Sequence, residues 1–126
     1  MIQPALPLIL ASGSPRRREL LDLMGLTYTV ETPDADESFS GRPSETVMEI
    51  SRRKAAAVAA RHSDSIIIAA DTLVFADSVL GKPHTPERAK EMLRSLAGNW
   101  HHVYTGITVI NTRSGRILRN VDKTRV

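Results

Sequence analysis

The 126-residue chain has the length of one domain, and 41% hydrophobic with 25% charged residues is the composition of a folded globular protein, not of a disordered tail. Aromatics make up 4% and cysteine is absent, so the core is aliphatic and a disulfide scaffold, a thiolate zinc site and a cysteine nucleophile are excluded. The net charge of +3 is gathered late in the chain: five basic residues and one acid lie from Arg113 onward, leaving 12 basic against 13 acidic side chains before it, which argues against a nucleic-acid-binding body.

Met1 to Ala11 lacks the basic stretch that precedes the apolar part of a signal peptide. No apolar run reaches the roughly 20 residues of a membrane span, so the expected location is the cytoplasm. Residues 8–11, Leu-Ile-Leu-Ala, read as a short buried strand. Ser14-Pro15 then opens a helix, with Ser14 as its cap, Leu20, Leu21 and Met24 as its apolar stripe and Gly25 as its stop. Residues 27–30 alternate like an exposed strand. Residues 32–43 are polar and carry two prolines and a glycine, which makes a long loop of the kind that is often functional. A second helix, capped by Ser44, runs to about Arg61.

Residues 65–70 form a continuous apolar strand buried on both faces. Residues 72–75 and 79–80 are expected to be hairpin arms around Ala76-Asp77-Ser78. Thr85-Pro86 starts a third helix lined by Ala89, Met92, Leu93 and Leu96 and ended by Gly98. Residues 103–110 are a strand, Asn111 to Gly115 a turn, and Ile117 onward a returning strand that still alternates at Val126. The expectation is alternating α/β structure in one domain over residues 1–126, cut inside its fold.

Five places carry candidate chemistry. Ser12-Gly13-Ser14-Pro15-Arg16-Arg17-Arg18 joins a buried strand to a helix N-terminus, where free N–H groups and the helix dipole attract anions. Three arginines in a first helical turn oppose that dipole, which argues for an anionic partner; a capped helix with solvated arginines is the equal alternative. Asp71 follows five apolar residues, and a carboxylate at such a strand end can hold a metal ion or act as a general base; an Asx turn is the plain alternative. Lys54 falls on the stripe of Val47, Ile50 and Val58, where it either snorkels to water or supplies fixed positive charge to a cleft. Gly81-Lys82-Pro83 holds one lysine between two backbone-fixing residues, with a turn bearing a solvated lysine as the commoner reading, and Asp34-Ala35-Asp36-Glu37 clusters carboxylates suited to Mg²⁺ or Mn²⁺, with solvated loop charge as the commoner case. The four histidines have no metal-ligand spacing. Cations for a polyphosphate beside carboxylates for a divalent ion point to nucleotide phosphate chemistry.

These segments resemble the Maf family, the septum-formation-inhibitor-like nucleoside triphosphate pyrophosphatases. The resemblance is carried by Leu-Ala-Ser-Gly-Ser-Pro-Arg-Arg at 10–17, Asp-Glu at 36–37, Lys-Ala at 54–55, Ala-Ala-Asp-Thr at 69–72, Gly-Lys-Pro at 81–83, Met-Leu-Arg-Ser-Leu-Ala-Gly-Asn-Trp-His at 92–101, and Thr105-Gly106. It implies an α/β fold of the Maf/ITPase-like kind, with a mixed central sheet flanked by helices, two lobes and a cleft, often as a homodimer. It implies hydrolysis of a nucleoside triphosphate to the monophosphate and pyrophosphate with Mg²⁺ or Mn²⁺. Asp71 would accept the proton from water, Glu37 and Asp71 would hold the metal, and Ser12, Arg16, Arg17, Lys54, Thr72 and Lys82 would hold the substrate. Arg16 and Thr72 resemble the branch acting on dTTP and UTP, rather than the branch acting on 7-methyl-GTP. The resemblance also implies a further C-terminal part with a substrate-contacting Gln, which leaves an inactive nucleotide-binding fragment as the remaining alternative.

Overall fold

The computed structural model describes residues 5–76, 78–80, 85–87, 90 and 102–125. Their elements are β1 (Leu8–Leu10), α1 (Pro15–Leu23), β2 (Thr29–Val30), α2 (Pro43–Ala59), β3 (Ile66–Ala76), β4 (Ser78–Leu80), β5 (His102–Asn111) and β6 (Arg116–Arg125). The strands form one mixed sheet in the order β2-β1-β3-β5-β6, with β4 also paired to β3. β2 and β3 run parallel to β1 on either side, while β4, β5 and β6 add antiparallel. The expected α/β class with a mixed sheet is therefore observed.

The crossovers explain where the helices go. From β1 the chain steps one way to β2 and then back past β1 to β3. Right-handed connections in opposite directions put α1 and α2 on opposite faces of the sheet. On the α2 face the core joins Ile9, Ala11, Ala55, Val58, Ile67, Ala69 and Ile110. Leu8 and Leu10 are buried on the other face, so β1 is covered on both, as its unbroken apolar sequence requires. α2 carries Val47, Ile50, Ser51, Ala55 and Val58 as its buried stripe.

Several expectations are corrected. β3 does not stop at Ala70. It runs through Asp71 to Ala76, because β5 pairs with it at every residue from Ile66 to Phe75. Asp71 is thus a mid-strand residue, and residues 72–75 are the second half of the same strand, which still pairs antiparallel with β4 as the expected hairpin arm. Ser14 sits at the N-cap of α1 with extended backbone, but its side chain makes no cap hydrogen bond; its N–H donates instead to Ser12 Oγ at 3.1 Å. Leu21 alone of the α1 stripe is buried, and Leu20 and Met24 are exposed. α2 is capped by Arg42, with Pro43 at its first turn, two residues ahead of the expected Ser44. Gly25 does close α1, at a φ of 72°, with its N–H on Asp22 O and the Leu26 N–H on Leu21 O. Of the third expected helix, Pro86, Glu87 and Lys90 are helical; the rest, with Gly81-Lys82-Pro83, lies outside the described residues.

The sheet order leaves one opening. β5 takes one edge of β3 over its whole length, so β1 and β4 share the other edge. β1 pairs there with residues 66–68 and β4 with residues 74–76. Residues 69–73 face no strand on that edge among the described residues. The end of β1, Ala11, reaches into this gap and donates its N–H to Ile68 O at 2.8 Å.

Candidate active site

The turn after β1 and the gap in the sheet meet at a cavity of about 400 Å³, lined by Ser12, Gly13, Ser14, Pro15, Arg17, Thr32, Pro33, Glu37 and Lys54. Ser12 is buried, and its Oγ accepts hydrogen bonds from Ser14 N–H and from Arg17 Nη1 at 3.2 Å. The other Arg17 nitrogen, Nη2, donates to Thr72 Oγ1 at 3.3 Å, so one guanidinium ties the β1–α1 turn to the middle of β3. A Cβ at Gly13 would meet no atom within 4 Å. Packing therefore does not require glycine there.

Asp71 and Thr72 point to opposite faces because successive strand residues alternate. Asp71 shares the α2 face with Ile67 and Ala69, and α2 presents Lys54 to it. Lys54 lies seven residues after Val47 and four before Val58, on the buried stripe. Its side chain is 15% exposed, as is that of Asp71, and Lys54 Nζ stands 3.2 Å from Asp71 Oδ1. The same Nζ stands 3.1 Å from Glu37 Oε1, and donates to Ala70 O at 3.4 Å, a carbonyl on the open edge of β3. One ammonium thus faces two carboxylates, Glu37 on the cavity lining and Asp71 behind it. Glu37 is 62% exposed, so its ion pair with Lys54 contributes only about 0–1 kcal/mol and does not by itself fix the loop.

The loop is fixed by a residue that sequence reading missed. Arg53 Nη1 donates to Asp36 O at 3.0 Å and to Ser38 O at 2.7 Å, the carbonyls on either side of Glu37. Its guanidinium lies 5.6 Å from the centre of the Phe39 ring, and its Nε donates to Glu49 Oε1 at 3.3 Å. Glu49 also accepts from Arg52, whose hydrogen bond holds the Glu49 carboxyl below its ordinary pKa. Within the loop, the Asp36 carboxylate accepts from the Ser38 hydroxyl and N–H, which lowers its pKa too. The i,i+4 spacing of Glu49 and Arg53 was a readable signal; the reach to residues 36–39 was not.

Two further features hold α2 against the sheet beside Asp71. Gly106 pairs with Asp71 across β3 and β5, and a Cβ there would overlap the Val47 carbonyl and the Met48 amide of α2. Ser51 Oγ donates to Met48 O, so the buried Thr108 hydroxyl is the donor in the 2.8 Å bond between Thr108 and Ser51.

Ser12, Arg17, Glu37 and Lys54 therefore line one cavity, with Asp71 and Thr72 joined to it through Lys54 and Arg17. Arg16 is exposed and does not line the cavity. Lys82 lies outside the described residues. Among those residues no cluster of three or more His, Asp or Glu side chains forms a metal cage. Two carboxylates around one side of the cavity are nonetheless a fitting donor set for Mg²⁺ or Mn²⁺, which keep waters and take their remaining ligands from other oxygens. No helix among the described residues is long and apolar enough to cross a membrane.

Comparisons with known proteins bear on the family and the fold. A family model described as Maf-like protein matches residues 7–126. A dTTP/UTP pyrophosphatase of Thermotoga maritima is 43% identical over 121 residues, covering 94% of this chain and 59% of that protein. One from Bacillus mycoides is 46% identical over 107 residues, covering 82% and 56%. The chain thus spans somewhat under three fifths of the length of these relatives. Among solved structures, a HAM1 protein from Coxiella burnetii superposes with a TM-score of 0.63 at 18% identity, over 95% of this chain and 71% of that one. The Staphylococcus aureus Ham1 protein gives 0.61 at 13% identity, over 94% and 70%. At these identities the two structures speak for the fold alone.

Proposed function

The chain belongs to the family of Maf-like proteins, and from that premise we propose that it serves a nucleoside triphosphate pyrophosphatase that cleaves dTTP and UTP to the monophosphate and pyrophosphate. Support comes from relatives named for that reaction at 43–46% identity. The observation that carries the reading is the Lys54 ammonium held between Asp71 and Glu37 at the mouth of the Ser12–Arg17 turn.

In this reading water adds to phosphorus and the α–β phosphoanhydride bond breaks. The Asp71 carboxylate accepts the proton that water gives up, and pyrophosphate leaves. The α1 N-terminus, Ser12 and Arg17 bind phosphate oxygens, with Arg17 oriented beforehand by Ser12 and Thr72. Arg16 and Lys82 would add further cations to the phosphates. Lys54 offsets the charge that Asp71, Glu37 and the phosphates bring together. Glu37 and Asp71 would hold a divalent cation, Mg²⁺ or Mn²⁺, which when bound polarises the phosphoryl group. A cytoplasmic site of action and pairing of two copies belong to the same proposal, through the family resemblance.

The test is pyrophosphate release from dTTP, UTP, CTP, GTP and 7-methyl-GTP with Mg²⁺ or Mn²⁺, on the chain and on its Asp71→Asn variant. Release from dTTP and UTP that Asp71→Asn abolishes, with nucleotide binding retained, is the expected result. Full-rate hydrolysis by the variant would remove Asp71 from its role. Preference for 7-methyl-GTP would reassign the branch, and binding without turnover would make this chain a nucleotide-binding unit.

A further inference from the structure

Glu37 presents a puzzle of placement. Its side chain is mostly exposed, and it sits in a loop of polar residues with no helix or strand from residue 31 to residue 40. Such a loop ordinarily samples many backbone conformations, and an exposed ion pair does not select one. Yet both peptide carbonyls that flank Glu37 end on one guanidinium. Arg53 is one residue before Lys54 on α2, so the helix that presents the ammonium also grips the loop that presents the carboxylate.

We infer that Arg53 is a positioning residue for Glu37: it fixes residues 36–38 by their Asp36 and Ser38 carbonyls so that the Glu37 carboxylate is held over Lys54 for cation binding. Three contacts make the arrangement stiff. The two carbonyl bonds leave from one nitrogen, the planar guanidinium lies against Phe39, and Glu49 holds the Nε edge from the preceding turn of α2. A lysine could reach one carbonyl but cannot present a flat face to Phe39 and an Nε–H to Glu49 together. Arg53 itself points at loop backbone and not into the cavity, whose lining does not include it. Its effect on the reaction therefore passes through Glu37. The inference rests on the assignment of Glu37 as a metal ligand in the proposed function.

The experiment is a double-mutant cycle read by Mn²⁺ binding. Free Mn²⁺ is followed by electron paramagnetic resonance in titrations of the chain, Arg53→Gln, Glu37→Gln and the double variant, each alone and with the α,β-methylene analogue of dTTP. Supporting residues behind a metal ligand typically change metal affinity by about 10- to 100-fold. Arg53→Gln is expected to weaken Mn²⁺ binding about tenfold, and the double variant to be no weaker than Glu37→Gln alone. Arg53→Lys should fall between wild type and Arg53→Gln. Binding of the analogue in the presence of a chelator should be the same in Arg53→Gln as in the unsubstituted chain, a readout that general unfolding would not spare. Multiplying effects in the double variant, unchanged Mn²⁺ affinity in Arg53→Gln, or a wild-type chain that takes up no Mn²⁺ would each overturn the inference. Failure of the proposed reaction is read separately: the analogue would then not bind, while the Mn²⁺ titrations of the chain alone would still report on Arg53.

Discussion

Lys54 shows how one residue can be legible in sequence while its role is not. Its position on the apolar stripe of α2 follows from helical spacing, and the structure keeps it there, largely buried. Spacing could not choose between snorkelling to water and turning inward, because that choice is made by Asp71 on β3 and Glu37 on a distant loop. A lysine with two carboxylates and a carbonyl around it is held inward by charge. Substituting Lys54→Met keeps the apolar stem and removes the ammonium, leaving Asp71 a partly buried charge without its cation. Denaturant unfolding should show a loss of about 1–3 kcal/mol. The double variant Lys54→Met, Asp71→Leu should regain most of it, because no unpaired charge remains. A double variant less stable than Lys54→Met would mean that the pair is not what links α2 to β3 here. Asp71 was the more readable partner, since a carboxylate directly after five apolar residues stands out. Arg53 was the least readable, since its carbonyl partners are 15 and 17 residues away in a loop whose path no local pattern specifies.

Among the elements, β1, α2, β5 and the turn into β6 were legible, and β3 was half legible. Its first half is buried on both faces and reads as an unbroken apolar run. Its second half begins with Asp71-Thr72, two polar residues that end any local strand pattern. What carries the strand on is the ladder to β5, a non-local pairing over ten residues. The site depends on that continuation, since it sets Asp71 mid-strand, opposite Gly106 and beneath α2. Gly106 has no positive φ to explain it; the close approach of the Val47–Met48 backbone does. Gly106→Ala must therefore push α2 off the sheet at the level of Asp71. The expected cost is about 1–3 kcal/mol, as for other overpacked cores. Because the same shift separates Lys54 from Asp71, turnover should fall by more than the loss of folded protein accounts for. Urea unfolding and steady-state kinetics on the same preparations check this, and stability within about 0.5 kcal/mol of wild type would show that the helix can yield at no cost. α1 was misread in its packing, because an amphipathic pattern says which residues could face a core but not that a core is there. Leu20, Leu23 and Met24 remain exposed.

At the scale of the whole molecule, charge is distributed by strand. The excess of positive charge noticed in the sequence falls on β6, where Arg116, Arg119, Lys123 and Arg125 are exposed on the outermost strand of the sheet among the described residues. The cavity lies at the opposite side of β3, toward β1, so these cations do not line it. Beside them Ile117 is 49% and Leu118 is 55% exposed, which with a backbone edge that no strand among the described residues pairs is the pattern that invites strands to add. Repulsion between basic edges is a common guard against that addition, and it weakens when salt shortens the range of charge to about 8–10 Å. The stacking surface expected of a single-strand binder is lacking: Tyr104 packs under Lys123 at 5.5 Å, with no run of aromatics between the arginines. The basic strand is thus better explained as a guard than as a nucleic-acid site. Replacing Arg119 and Lys123 by Gln should lower the concentration at which the chain self-associates by a few-fold in dilute salt, with little further change in concentrated salt where the wild type is already screened. Leu118→Lys should raise it. Sedimentation velocity across a concentration series reads both. An onset that neither substitution moves would mean that association, where it occurs, uses another surface, and would return the basic strand to the list of features awaiting a ligand.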